Sequence, residues 1–167
     1  MNEIDGPIRW PGRSSTGSVI VALGDSMLMP LAPQLALPEV TLLRKREAHL
    51  TLLSTREAEA LARRLPESDW QAAFEAESWS WQALEAFDLL REDRPSEPTR
   101  YSVIRHLHCP ALNAFRQRLA EAAGMDLAET LPHVTLYTAG YERGIGLSSL
   151  ADHAHFRIRS LARGEWP

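Results

Sequence analysis

Ala48-His49-Leu50-Thr51-Leu52-Leu53 and Pro132-His133-Val134-Thr135-Leu136-Tyr137 decide how this chain is read. Both are short apolar runs of the kind that form strands. In a strand, residues i and i+2 point to the same face. Each run therefore sets an imidazole and a hydroxyl side by side, about 7 Å apart along the chain. Leu50 and Val134 turn the other way, toward a core. With six His and eight Thr in 167 residues, chance yields fewer than one His-x-Thr word, so two in strand context form a signal. Two imidazoles and two hydroxyls facing one anion would supply proton transfer and hydrogen bonds together.

The spacing extends the signal outward. His49 and His133 lie 84 positions apart, and at that offset other apolar residues coincide. Val19-Ile20 falls on Val103-Ile104. Leu28, Leu31 and Leu35 fall on Leu112, Phe115 and Leu119. Leu50 and Leu52 fall on Val134 and Leu136. A frame repeated in register is the mark of an internal duplication. The expected fold class is α+β: two pseudo-symmetric lobes, each an antiparallel sheet with helices outside, and a cleft between them. Residues 1–17, with Gly6, Pro7, Pro11, Gly12 and Gly17, read as a flexible N-terminal arm. Residues 18–167 read as a single bilobal domain.

The composition is that of an ordinary globular chain, 44% apolar and 24% charged. No apolar run approaches the roughly 20 residues of a membrane span, so no membrane partner is expected. Met1 to Pro11 lacks the apolar stretch of a secretory signal, and a single Cys, Cys109, excludes an intrachain disulfide framework. A cytoplasmic monomer is expected. A net charge of −4 argues against general coating of nucleic acid, but not against one phosphate held in a local basic cleft.

Along the chain, Ser18–Leu23 reads as a strand, and 24–38 as a short or kinked helix broken by Pro30 and Pro33. Val40–Leu43 extends a strand. Ser54-Thr55-Arg56-Glu57 is a capping-box pattern opening a helix that stops at Pro66. Trp79 and Trp81 alternate with polar residues and favour extended chain. Glu85–Arg91 and Tyr101–His108 read as strands joined by a loop at 92–99. Pro110 starts a helix that Gly124 ends. The segment 132–138 is the second word's strand, Gly140, Gly144 and Gly146 mark a mobile loop, and 153–160 reads as a final strand.

The paired words resemble the 2H phosphoesterase superfamily, which includes the 2′-5′ RNA ligase-like proteins and the RNA 2′,3′-cyclic phosphodiesterases. Its signature is two His-x-Thr/Ser words on strands, one per lobe of a duplicated α+β fold. The resemblance runs loosely from Ser18 to Ser160. It implies that His49 and His133 form the catalytic pair and that Thr51 and Thr135 bind phosphate oxygens. It implies a metal-independent phosphoesterase that opens 2′,3′-cyclic phosphates on RNA ends or small cyclic nucleotides, with 2′-5′ ligation as the reverse reaction of the same site. No cofactor and no metal are expected. Departing from several relatives, Tyr137 and Thr138 follow the second word where a basic residue stands in them.

The residues fit that chemistry. An imidazole with a pKa of about 6.5 serves as acid or base near neutrality, and hydroxyls can stabilise charge on phosphoryl oxygens. Tyr137, Arg46 of the Arg44-Lys45-Arg46 run and Arg157 are candidate substrate contacts. Arg157 is read as sharing a strand face with His153, His155 and Arg159. Trp70, Trp79 and Trp81 are candidates either for base stacking or for the core. His106-Leu107-His108-Cys109 is the one zinc-like cluster, without an evident fourth ligand. The rival function is a module that binds nucleotides or RNA ends without turnover.

Overall fold

In the computed structural model, residues 8–167 are described. The chain runs β1 (Val19–Ala22), β2 (Gln34–Ala36), β3 (Thr41–Arg44), β4 (His49–Leu53), α1 (Thr55–Ala62), α2 (Glu67–Glu75) and β5 (Gln82–Glu92). It continues through β6 (Arg100–His108), α3 (Pro110–Ala123), β7 (His133–Ala139), α4 (Leu150–Phe156) and β8 (Arg157–Ser160). This is an α+β fold with antiparallel sheets. One sheet is the β1–β4 pair; the other has the order β2-β3-β7-β6-β5-β8. Among the described residues, no helix is long and apolar enough to cross a membrane.

The pairing around the two His-x-Thr words is the same in both sheets. On β1 and β4, Ala22 opposes His49, Val21 opposes Leu50, Ile20 opposes Thr51 and Val19 opposes Leu53. On β6 and β7, His106 opposes His133, Arg105 opposes Val134, Ile104 opposes Thr135 and Val103 opposes Tyr137. Adding 84 carries every pair of the first set onto the second. The register break falls at Val19/Ile20 in one and Val103/Ile104 in the other, so each word is followed by a one-residue bulge. A bulge leaves an unpaired backbone group, and both bulges are served. The Leu52 carbonyl accepts from Arg116 Nη1 at 2.9 Å, and the Leu136 carbonyl accepts from the Lys45 N–H at 2.8 Å.

The surroundings of the two pairs differ: one sheet has two strands and the other six. The link from β6 to β7 holds α3, whereas the link from β1 to β4 holds a 3-10 turn at Asp25–Met27 and the β2–β3 hairpin. Pro30 and Pro33 account for that. A proline removes an N–H and restricts the residue before it, so the Leu28/Leu31/Leu35 frame cannot continue as a helix.

Two segments depart from the sequence reading. Residues 67–75 form a helix that the sequence reading did not assign. Glu67 and Asp69 sit in the first turn of α2, and Trp70, Ala73 and Phe74 form its buried stripe, the i, i+3, i+4 spacing of an amphipathic helix. Residues 150–156 form α4, so only Arg157–Ser160 of the expected final strand is extended. Ser149 caps α4 by accepting the Asp152 N–H at 3.0 Å, and such a cap overrides the alternation of apolar residues. The capping box at Ser54 and Glu57 is formed as read.

The N-terminal arm is docked over its described part. Trp10 meets the Phe74 ring edge-on at 5.4 Å, and Ile8 packs on the same core; residues 1–7 of the arm lie outside the described residues. Trp79 stacks on Phe74 at 4.6 Å and donates its indole N–H to the Phe74 carbonyl. Trp70 and Trp81 are buried, so these tryptophans serve the core.

Gly140 ends β7 with φ +77, and a Cβ there would overlap the Thr99 carbonyl oxygen of the neighbouring strand connection. Both the left-handed backbone and the close approach need glycine. Gly140→Ala should therefore cost on the order of 2 kcal/mol or more in chemical denaturation, by strain and displacement of β7. A loss under about 0.5 kcal/mol, within the range of ordinary surface changes, would show that the contact is absent in solution.

Candidate active site

β4 and β7 bring the two His-x-Thr words to one cavity of about 520 Å³. Its walls carry His49, Thr51, His133 and Thr135 together. The alternation that turns Leu50 and Val134 into the core (both nearly or fully buried) turns the four polar side chains into the cavity. No other group among the described residues engages the Thr51 or Thr135 hydroxyl, which leaves both able to donate to a ligand.

The loop after β7 closes the cavity on one side. Gly144 (φ +84) lies against Thr135, and a Cβ there would come 3.2 Å from Thr135 Cγ2 and from Ser102 Oγ. The Ile145 N–H donates to the buried Ser102 hydroxyl at 2.9 Å. Ile145 and Leu147 pack with Leu90 and Ile104 in a small second core. The segment read as a mobile loop is thus pinned by a hydrogen bond and by apolar burial. It presents Arg143 to the cavity, and Lys45 enters from the end of β3. Lys45 Nζ donates to the Glu142 carbonyl at 2.8 Å.

The two histidines stand in different settings. His133 Nδ1 lies 2.8 Å from the Leu131 carbonyl. A carbonyl only accepts, so Nδ1 carries the proton and Nε2 keeps its lone pair. Burial pushes the His133 pKa down to about 4, against the opposing pull of that hydrogen bond. His49 Nδ1 is buried without a hydrogen-bond partner, and the Glu47 carboxylate lies 3.8 Å from it. Burial and the Lys45 charge lower the His49 pKa, while Glu47 works against them.

These shifts set a pH dependence. The folded pKa of His133 lies below its unfolded value, so the unfolded chain takes up the proton first as pH falls. The stability at stake is present above about pH 6.5 and is lost toward pH 4, amounting to roughly 3 kcal/mol at most. NMR titration of the ligand-free protein should show the His133 ring protonating near pH 4. A midpoint near 6.5 would mean that the ring is solvated.

The remaining predicted site residues fall elsewhere. Tyr137 follows the bulge, so it turns into the core; it is fully buried and donates its hydroxyl to the Ala32 carbonyl at 2.8 Å. Arg46 faces a neighbouring groove rather than the cavity of the histidines. Arg157 is not on a strand face with His153 and His155, because those two lie on α4. Its Nε instead bonds Asp88 Oδ1 at 3.1 Å.

Asp88 is the centre of a clamp that the sequence reading missed. His106 and His153 place their Nε2 atoms 2.7 and 2.8 Å from Asp88 Oδ2, and the Ser160 hydroxyl donates to Oδ1. Burial opposes ionisation of Asp88, but the hydrogen bonds from His106, Ser160, His153 and Arg157 outweigh it. They hold its carboxyl well below the usual carboxylate range. The clamp ties α4 and β8 to β5 and β6. Asp88, His106 and His153 are also the one group of potential metal ligands that converges among the described residues. The zinc-like group of His106, His108 and Cys109 is not gathered, since His106 turns to Asp88 and Cys109 is buried at the start of α3. No pattern flagged Asp88, because its partners come from three separate elements.

The chain was compared with known proteins at three levels, and no family model, no curated protein and no solved structure matches it.

Proposed function

We propose that this protein is a 2H-type phosphoesterase that opens 2′,3′-cyclic phosphates of RNA ends or nucleotides by acid/base catalysis between His49 and His133. The single observation that carries this reading is the meeting of both His-x-Thr words in one cavity. The equal pairing register of β1–β4 and β6–β7, bulge included, supports descent of the two halves from one duplicated unit. On that reading, residues 18–167 are one bilobal domain whose lobes have diverged in their links and added strands.

The settings of the imidazoles divide the labour. His133 is neutral with Nε2 unprotonated, which suits the base that takes a proton from water. The water oxygen attacks phosphorus, the ring P–O bond breaks, and His49 Nε2–H protonates the departing ribose oxygen. Glu47, beside His49 Nδ1, favours the protonated form once a substrate anion occupies the cavity. Thr51 and Thr135 donate to the phosphoryl oxygens as charge grows there. Lys45 and Arg143 supply the positive field that draws the anion in.

The test is hydrolysis of a nucleoside 2′,3′-cyclic phosphate, followed by phosphorus NMR. Turnover to a phosphomonoester is expected, undiminished by a chelator because imidazoles carry the protons. Binding of the cyclic phosphate without turnover by the intact chain would favour the rival, a nucleotide-binding module.

A further inference from the structure

We infer that the cavity selects a small cyclic phosphate by the free 5′-hydroxyl of its sugar and not by a base; this rests on the phosphoesterase reading. The inference comes from what lines the cavity. Nearly half of the lining residues carry a hydroxyl, and apart from the two catalytic imidazoles none is aromatic. Every aromatic residue that could have stacked a base is placed elsewhere. Trp70, Trp81 and Tyr137 are buried in the core, and Trp79 lies on Phe74. Tyr141 belongs to the adjacent groove, and the Arg100 guanidinium covers its ring at 3.8 Å. The apolar lining is aliphatic: Ile20, Ile145 and Leu147.

The hydroxyls are arranged for a particular partner. Ser14, Thr16 and Ser18 of the N-terminal arm form a closed triangle, with oxygen separations of 3.0, 2.8 and 3.3 Å. Each hydroxyl has one proton to give and two lone pairs. When the three hydroxyls donate to one another around the triangle, all three protons are engaged and each oxygen keeps one lone pair free. Phosphate oxygens only accept, so the closed triangle offers them no free donor; the 5′-hydroxyl of the sugar can donate and fits it. Thr51 and Thr135, whose hydroxyls are unengaged, face the phosphate instead. The cavity thus has a donor end beside the imidazoles and an acceptor end at the arm. A phosphate joined to a hydroxyl-bearing sugar matches both ends, whereas a polynucleotide would bring a second phosphate to the acceptor end.

The experiment compares kcat/KM for the four nucleoside 2′,3′-cyclic phosphates, for methyl riboside 2,3-cyclic phosphate and for ethylene glycol cyclic phosphate. The nucleosides and the methyl riboside should agree within about threefold. Base stacking on an aromatic face would contribute roughly five- to a hundredfold, so its absence is readable. Ethylene glycol cyclic phosphate, which lacks the 5′-hydroxyl, should lose about five- to tenfold through KM, the scale of one hydrogen bond. Thr16→Ala combined with Ser18→Ala should raise KM for the riboside and leave it unchanged for ethylene glycol cyclic phosphate. A more than about tenfold preference among bases, or a similar loss on removing the base, overturns the inference while leaving the phosphoesterase reading intact. A KM increase in Tyr141→Ala confined to base-bearing substrates does the same. Failure to turn over any of the six overturns the phosphoesterase reading, and this inference with it.

Discussion

His49→Ala and His133→Ala should each remove most of the cyclic phosphodiesterase activity. On the proposed mechanism one transition state uses both groups, so either loss stops the reaction coordinate at proton transfer. A positioned acid or base contributes about 10²–10⁴-fold, and kcat should fall by that order while KM changes little. The double variant should be only slightly worse than either single one, because groups acting as a unit are not additive. The two variants should differ in stability. His49 Nδ1 has no hydrogen bond to lose, so His49→Ala should be near neutral. His133→Ala removes the bond to the Leu131 carbonyl and should cost on the order of 1 kcal/mol. Steady-state kinetics on folded protein, checked by circular dichroism, decides the matter. Near-full activity in either variant would reject the two-histidine mechanism.

What the sequence shows about the site depends on which signals are local. The His-x-Thr words lie within single strands, and period-2 alternation fixes both faces at once. The same local rule failed one step later. Tyr137 sits two residues beyond Thr135, and simple alternation puts it in the cavity. The bulge between them, visible only as a pairing shift against Val103 and Ile104, sends it into the core. The 84-residue offset was informative where it crossed strands, since every β1–β4 pair maps onto a β6–β7 pair. It was uninformative in the links, where Pro30 and Pro33 prevent the helix that α3 forms from the matching frame.

Other misses have the same origin. A cap decides a helix start in two or three residues, so Ser149 and Asp152 outweighed the alternation of Ala154, Phe156 and Ile158. The Asp88 clamp draws His106, His153 and Arg157 from β6, α4 and β8. No spacing rule links residues up to 72 positions apart. The hydroxyl triangle at Ser14, Thr16 and Ser18 lay in plain view, yet polar loop composition alone does not say that the loop faces a cavity.

Arg116→Ala should be the most destabilising single substitution outside the apolar core. The side chain is 3% exposed and joins four segments. Nη2 pairs with Glu57 Oε1 at 2.6 Å and Nη1 reaches Oε2 at 3.2 Å. Nη1 also donates to the Leu52 carbonyl at the β4 bulge. Nε and Nη2 donate to the Ala128 carbonyl, and Nη2 reaches the Ser148 carbonyl at the cavity wall. Removing the guanidinium leaves Glu57 without its counter-charge and three carbonyls without donors. Breaking a buried pair in this way costs about 3–5 kcal/mol, far more than the pair itself contributes. Arg116→Lys should recover only part of that loss, because one ammonium cannot reach both Glu57 oxygens and three carbonyls. The lysine variant should also raise KM, since the Leu52 carbonyl and Ser148 are held one residue from Thr51 and in the cavity wall respectively. Pairing Arg116→Met with Glu57→Gln should restore stability relative to Arg116→Met alone, as the stranded carboxylate is then neutral. Urea denaturation of the four variants measures this. A loss under about 1 kcal/mol for Arg116→Ala, the level of an exposed ion pair, would mean that water replaces the guanidinium and that the bulge beneath Thr51 does not depend on it.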